Sequence, residues 1–314
     1  MGPWRLRSMR SGWTVAALLA AVLLVVPSAR AEDFDRTISA PRGARLDVRL
    51  FGGEVVVHAW DKDAVRVRAT HFRTDTIDLS ATDAAVTIRA RSRHGTPHAI
   101  DFDIQVPAWM PVGIAGTYLD ITVEGTQAAV TAETVRGDVK VKGGAGTVSL
   151  KSIDGVVALE GARGRAELSS VNNGIRVEGL NGELSADSVN GSVKLRGVQS
   201  ASVEVSTVGG DISWDGAVTG NGRYQLATHN GDVDVTLPDR SNVTVNVRAF
   251  QGEFSCAFPA KLPDEAGRHR RFSFILGSGA ARLDLETFGG TINVRRGGAG
   301  DASGGPPGAP GLPR

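Results

Sequence analysis

The chain reads as all-β, a parallel β-solenoid (β-helix) with an irregular β region capping its N-terminal side. Three observations point there. A short unit recurs through the middle of the sequence: a Gly, a variable residue, then alternating apolar and polar positions. It reads Gly137-Asp-Val-Lys-Val, Gly155-Val-Val-Ala-Leu, Gly174-Ile-Arg-Val, Gly191-Ser-Val-Lys-Leu, Gly210-Asp-Ile-Ser-Trp and Gly231-Asp-Val-Asp-Val, and returns at Gly252 and Gly290. Its steps run from 17 to 21 residues as far as Gly252, and the last, of 38, counts as two periods. Second, Val, Ile, Leu and Thr on alternate positions suit a pleated strand with one buried face. Third, residues 112–237 contain no proline, as ladder-donating strands require, and no apolar period of helical length.

Taken in order, the first 31 residues are an address. Arg5, Arg7 and Arg10 precede an apolar run from Val15 to Val26, Pro27 breaks it, and Ala29-Arg30-Ala31 supplies small residues for signal peptidase. The run is about 12 residues, against about 20 for a spanning helix. Cleavage is therefore expected between Ala31 and Glu32, leaving no stable membrane span. Residues 32–130 form an N-terminal β region with strand-like runs at Leu46, Ala64 and Val86 that do not keep the beat. Gly53-Glu-Val-Val-Val is an isolated early copy of the unit. Such a region covers the open end of a stack, whose unpaired backbone invites aggregation. Residues 131–296 carry the repeats, interrupted by a polar insertion at 259–271. Residues 297–314, rich in Gly and Pro, bury too little to offset the entropy of ordering and are expected to be disordered.

Bends fall at Asn173-Gly174, Asn181-Gly182, Asn190-Gly191, Gly209-Gly210, Asn230-Gly231 and Gly289-Gly290, pairs that tolerate positive φ. Strand–Asn-Gly–strand is also a hairpin signal, so an antiparallel sandwich or meander is the alternative. Stacking selects like on like whereas hairpins do not, and the register keeps returning to the same letters. About nine coils at ~4.8 Å per rung give a rod on the order of 40 Å.

Three features in this order, Gly53-Glu-Val-Val-Val-His, Asp101-Phe-Asp-Ile-Gln-Val-Pro107 and the Asn-Gly repeats, resemble a known family across about Thr37 to Val294. The chain is similar to the bacterial "putative adhesin" family of β-strand-repeat envelope proteins, a domain of unknown function. The resemblance implies export or envelope association and parallel β-helical repeats, and it carries over no catalytic residue.

The chemistry legible in the residues is sparse. Without the four leader arginines the charge is 31 basic against 34 acidic side chains, a net of −3, unlike a nucleic-acid binder. Cys256 is the one cysteine, so no internal disulfide exists, and Phe254-Ser-Cys-Ala-Phe258 predicts it buried beside the two Phe. His94 and His98 lie in a Gly/Pro loop without further ligands at metal-binding spacing, so they read as an exposed turn. Asp138, Asp211 and Asp232 follow repeat glycines, where β-helix lyases and hydrolases gather acids. The equivalent positions hold Val156, Ile175, Ser192, Glu253 and Thr291, so the run is broken and turn chemistry is the expectation. Arg66 and Arg68, Arg89, Arg91 and Arg93, and Arg268-His-Arg-Arg271 form basic stripes, read as solvated faces. Trp214 falls on an inward position, and Trp60 and Trp109 are the other tryptophans after the leader. Phosphate-loop, dinucleotide and serine-nucleophile patterns are missing. The residues thus point to an exported, non-enzymatic binding or scaffold module, without catalytic residue, metal or cofactor. Its expected partner is an envelope protein or polysaccharide, in the periplasm, cell envelope or outside the cell. A carbohydrate-active β-helix enzyme and a structural or sensory envelope module are the alternatives.

Overall fold

The computed structural model describes residues 31–93, 95–259 and 271–297. The leader up to residue 30, His94, residues 260–270 and the chain from 298 onward lie outside the described residues.

Alternation dictates strands, and the chain begins with seven: β1 (Ala31–Ser39), β2 (Arg45–Trp60), β3 (Ala64–Phe72), β4 (Asp75–Ala81), β5 (Ala85–Ser92), β6 (Phe102–Pro107) and β7 (Val112–Thr126). The long β2 is really two strands joined at Gly52-Gly53: one half buries Leu46 and Val48, the other Val55 and Val57. β7 repeats that form and lies parallel on β2, Leu46 opposite Val112 and Val55 opposite Ile121.

From there each turn of the chain makes a rung of two strands. These are β8 (Val130–Arg136) with β9 (Val139–Gly143), β10 (Ala145–Asp154) with β11 (Val157–Glu160), and β12 (Arg163–Ser170) with β13 (Ile175–Glu178). They continue with β14 (Asn181–Ser188) and β15 (Val193–Arg196), β16 (Ser202–Thr207) and β17 (Ile212–Asp215), and β18 (Arg223–Thr228) and β19 (Val233–Pro238). From β8 to β17 every strand pairs in parallel with the one two places on. In one sheet Val148, Ala166, Leu184, Val203 and Tyr224 stack in column; in the facing sheet Val139, Val157, Ile175, Val193, Ile212 and Val233 do. This is the solenoid expected, and the pairing is not that of a meander. All these side chains are buried between the sheets, each Val, Leu and Ile contributing roughly 1.5–3 kcal/mol. No boundary in the ladder marks 130/131, because β7 hands on to β8 and β9 by the same parallel pairing.

Both ends leave chain order. At the N-terminal end β5 and β6 lie outside β2, which is thus sandwiched between them and β7. Antiparallel strands finish that end: β4 on β5, β3 on β6, and β1 on β3. At the other end β20 (Val243–Ala249), β21 (Phe254–Cys256), β22 (Arg271–Leu276), β23 (Ala281–Thr287) and β24 (Ile292–Gly297) follow. β23 pairs with both β18 and β20, and β24 with both β19 and β21. The last strands therefore fill a rung the chain had skipped. The 38-residue step is not two periods: the Gly290 rung lies inside the Gly252 rung. With β22 antiparallel on β20 the stack closes. Eleven rungs result among the described residues, counting β5/β6, β2, β7, six regular pairs, β23/β24 and β20/β21, rather than nine. Their length is on the order of 50 Å.

Smaller expectations also change. Arg271, placed in the insertion, opens β22; Gly297, placed in the tail, closes β24; and Asn181-Gly182 lies inside β14 rather than at a bend.

Candidate functional site

Each rung turns from the first sheet to the second at the repeat glycine, and three columns of side chains meet there. The glycines do not mainly serve positive φ. Gly155, Gly191, Gly210, Gly231, Gly252 and Gly290 all lie outside the left-handed region. They are glycines because the rungs approach too closely for a side chain: a Cβ on Gly231 would strike the Gly210 carbonyl, and one on Gly191 the Asn173 carbonyl. The latter contact corrects the register. Asn173, not Gly174, occupies the column, so the steps of 19 and 17 residues become 18 and 18. Left-handed glycines stack instead at the opposite corner, at Gly161, Gly179 and Gly197 with φ of 67°, 68° and 59°.

Three residues before the corner a buried hydroxyl recurs, in Ser152, Ser170, Ser188, Thr207, Thr228 and Thr287. The hydroxyls donate to corner carbonyls of the preceding rung: Ser152 to Gly137 at 2.9 Å, Thr228 to Gly210 at 2.9 Å and Thr287 to Gly231 at 3.0 Å. Ser170 reaches Gly155 at 3.2 Å and Asn173 of its own rung at 2.7 Å. A tight bend buries backbone that the ladders cannot satisfy, and the hydroxyl column satisfies it. The signal of this column in the sequence is Ser or Thr three residues before each corner, which the apolar and glycine positions alone do not reveal.

The acidic positions belong to the same construction. Asp120 accepts the Asp138 N–H at 2.8 Å, Asp138 that of Val156 at 2.9 Å, Asp211 that of Asp232 at 3.0 Å and Asp232 that of Thr291 at 2.7 Å. Burial pushes the Asp138 carboxyl up, but the Val156 N–H and the Lys140 ammonium at 3.1 Å outweigh it and hold the group below the usual carboxylate range. The column is broken as expected, although Gly174 rather than Ile175 stands in it; Ile175 points into the core.

Three arginines of the basic stripes are paired. Arg66 meets Asp35 and Arg68 meets Asp103, each at 2.6 Å, and Arg91 meets Asp78 at 2.7 Å. Arg268, His269 and Arg270 lie outside the described residues, as does His94. His98 is exposed in its loop, yet its Nδ1 lies 2.7 Å from the buried carboxylate of Asp75. Burial raises the Asp75 carboxyl, and hydrogen bonds from His98 and Ser92 more than reverse that. Trp214 is core, stacked on Tyr224 at 4.8 Å, while the indole N–H groups of Trp60 and Trp109 donate to the Ala64 carbonyl and Asp63. Cys256 packs near Phe258 but is only half-buried, because β21 belongs to the outermost rung and no strand among the described residues pairs on its outer edge; burial still pushes its thiol pKa up. Ala31 opens β1 and Glu32 pairs with His71, so cleavage between them would leave β1 at the new N-terminus. Among the described residues no group of three or more His, Cys, Asp or Glu could hold a metal ion, and no helix is long and apolar enough to cross a membrane.

The "putative adhesin" of Parabacteroides distasonis is similar at 10% identity, covering 85% of this chain and 98% of its own, with a TM-score of 0.46. That of Parabacteroides merdae is similar at 10% identity over 85% and 97%, with a TM-score of 0.45. A "putative lipid binding protein" of Parabacteroides distasonis shares 11% identity over 83% and 96%, with a TM-score of 0.40. No curated protein matches the sequence. The family model described as Toastrack DUF4097 matches residues 44–295, which run from the foot of β2 into β24, and the chain belongs to that family.

Proposed function

We propose that the chain is a non-enzymatic binding or scaffold module of the cell envelope, exported by its leader, whose partner lies along the outer faces of the stack. The observation that supports this most is the use made of the acids. Carboxylates that perform acid–base or nucleophilic work need lone pairs aimed at a substrate. Asp138, Asp211 and Asp232 instead accept backbone N–H groups of the next rung. What the rungs offer outward is repetition, and a repeating face suits a polymer or an extended protein surface.

Envelope polysaccharide incubated with the purified chain tests this reading. Retention of the glycan, or capture of one discrete envelope protein, without release of reducing ends is the expected result. Release of reducing ends that Asp211→Asn abolishes would contradict it and establish the carbohydrate-active alternative. For export, the chain recovered from the envelope fraction should begin at Glu32; recovery from the cytoplasm with the leader intact would refute that part.

A further inference from the structure

Two residues before each corner the apolar pattern goes out of phase. Val135, Ile153, Val189 and Val208 are 45%, 47%, 41% and 51% exposed, although their strands bury apolar residues on the other face. Successive rungs set them, with Val171, one above another: the Asn172 N–H bonds the Ile153 carbonyl, the Asn190 N–H that of Val171, and the Asn230 N–H that of Val208. The line continues in rings. His229 stacks on Phe288 at 4.8 Å, and Phe288 meets Phe250 at 5.9 Å. An apolar ridge thus runs along one outer corner of the regular rungs. Isolated exposed apolar residues are ordinary on protein surfaces; a column kept on nearly every rung is not.

We propose that this ridge is the contact surface for a second copy of the chain, packed side by side, pointing the same way and in register. This goes beyond the envelope reading and does not depend on it. Charge is complementary in this arrangement. The column four residues before the corner carries Glu133 and Lys151, and the column one residue before it carries Arg136 and Asp154. A two-fold axis along the rod sets the first column of one copy against the second column of the other. Glu133 then faces the partner's Arg136, and Lys151 the partner's Asp154. The next three rungs oppose Ser169 to Asn172, Asp187 to Asn190 and Ser206 to Gly209, with no like charges. Within one chain the four charges are only loosely satisfied, Arg136 to Asp154 and Lys151 to Glu133 both at 3.4 Å. Area agrees: the eight rungs of the ridge with one column on either side span about 38 Å by roughly 18 Å, close to the roughly 800 Å² per partner that a stable pair buries.

Sedimentation of the purified chain at micromolar concentration, with single cysteines introduced in a Cys256→Ser background, tests the arrangement. The chain should sediment at twice its own mass, and Ile153→Asp with Val189→Asp should halve that mass while leaving the circular dichroism spectrum unchanged. Because each ridge residue meets its own counterpart, Val135→Cys, Val189→Cys and Val208→Cys should each give a disulfide-linked pair on mild oxidation. A chain that is monomeric at every concentration overturns the proposal. So does a dimer in which any of the three cysteines fails to cross-link, which marks opposed or shifted copies, and so does a monomer that floats with phosphatidylcholine vesicles, which assigns the ridge to lipid.

Discussion

The middle of this molecule and its two ends solve the same problem differently. From β8 to β17 chain order and spatial order agree, every corner is a glycine or Asn173, and neighbouring rungs satisfy each other, a hydroxyl donating to the rung before and often an Asp accepting from the rung after. At the ends the chain overshoots, lays down an outer rung, and leaves another strand to occupy the place inside it. On the N-terminal side the inner strand, β2, comes first in sequence; on the C-terminal side the inner strands, β23 and β24, come last. Among the described residues antiparallel strands then finish three of the four sheet edges. Repetition serves stacking, but a stack of identical rungs ends in an open ladder that recruits further strands. Breaking chain order makes each end depend on a segment from elsewhere in the sequence and gives it an edge unlike the interior.

The sharpest way to break that contrast is to cut at each kind of rung. Deleting 163–180, one whole middle coil whose flanks are in register at Arg163 and Asn181, should leave a shorter stack that melts cooperatively. Ending the chain at Gly277 removes β23 and β24, so β20 and β21 lose their parallel partners; protection of residues 243–256 and 271–276 from hydrogen exchange should vanish. Equal loss in both deletions would refute the difference between middle and end.

Next in size is the corner. Gly191→Ala places a methyl against the Asn173 carbonyl and should cost about 3 kcal/mol or more. Gly161→Ala meets nothing within 4 Å and faces only its φ of 67°, about 1 kcal/mol. Chemical denaturation of the two variants compares close approach with backbone conformation directly, and the reverse order would contradict the reading of the corner.

A smaller effect belongs to the hydroxyl column. Ser170→Ala leaves the Gly155 and Asn173 carbonyls without that donor and should cost about 1–3 kcal/mol, whereas a change at exposed Ser202 to Ala should be measured within about 0.5 kcal/mol.

Smallest is the response to acid. The carboxyls of Asp75 and Asp138 titrate below their ordinary range in the fold. Their contribution is therefore complete above the unfolded value of 3.8 and is lost as pH falls through the folded values. The melting temperature should fall below about pH 4, and less steeply in Asp138→Asn. A melting temperature that rises on acidification would contradict the sign.

The sequence makes the middle legible for a physical reason: stacking puts like on like, so a glycine corner and an alternating strand return at nearly fixed intervals. It hides the ends for the same reason. Gly252 and Gly290 carry the same motif whichever of them is outermost, because pairing out of order leaves no periodic trace. Reading every Asn-Gly as a left-handed bend misplaced Gly174 by one residue, since what the corner demands is space above a carbonyl, which Asn173 can also provide there. Function is less legible. The interrupted run of Asp was visible and its structural use was the expectation, whereas the outward Val and Ile were overlooked because apolar residues on the off beat look like noise in an alternating pattern.

A pair of engineered cysteines tests the out-of-order stack most directly. Gln225 on β18 lies beside Asp284 on β23, and Asn246 on β20 is one rung farther away. With Cys256 replaced by Ser, Gln225→Cys/Asp284→Cys should oxidise readily, its Cα atoms about 5 Å apart, and Gln225→Cys/Asn246→Cys, at about 10 Å, should not. A disulfide in the second pair and none in the first would show the strands stacked in plain chain order and contradict the account.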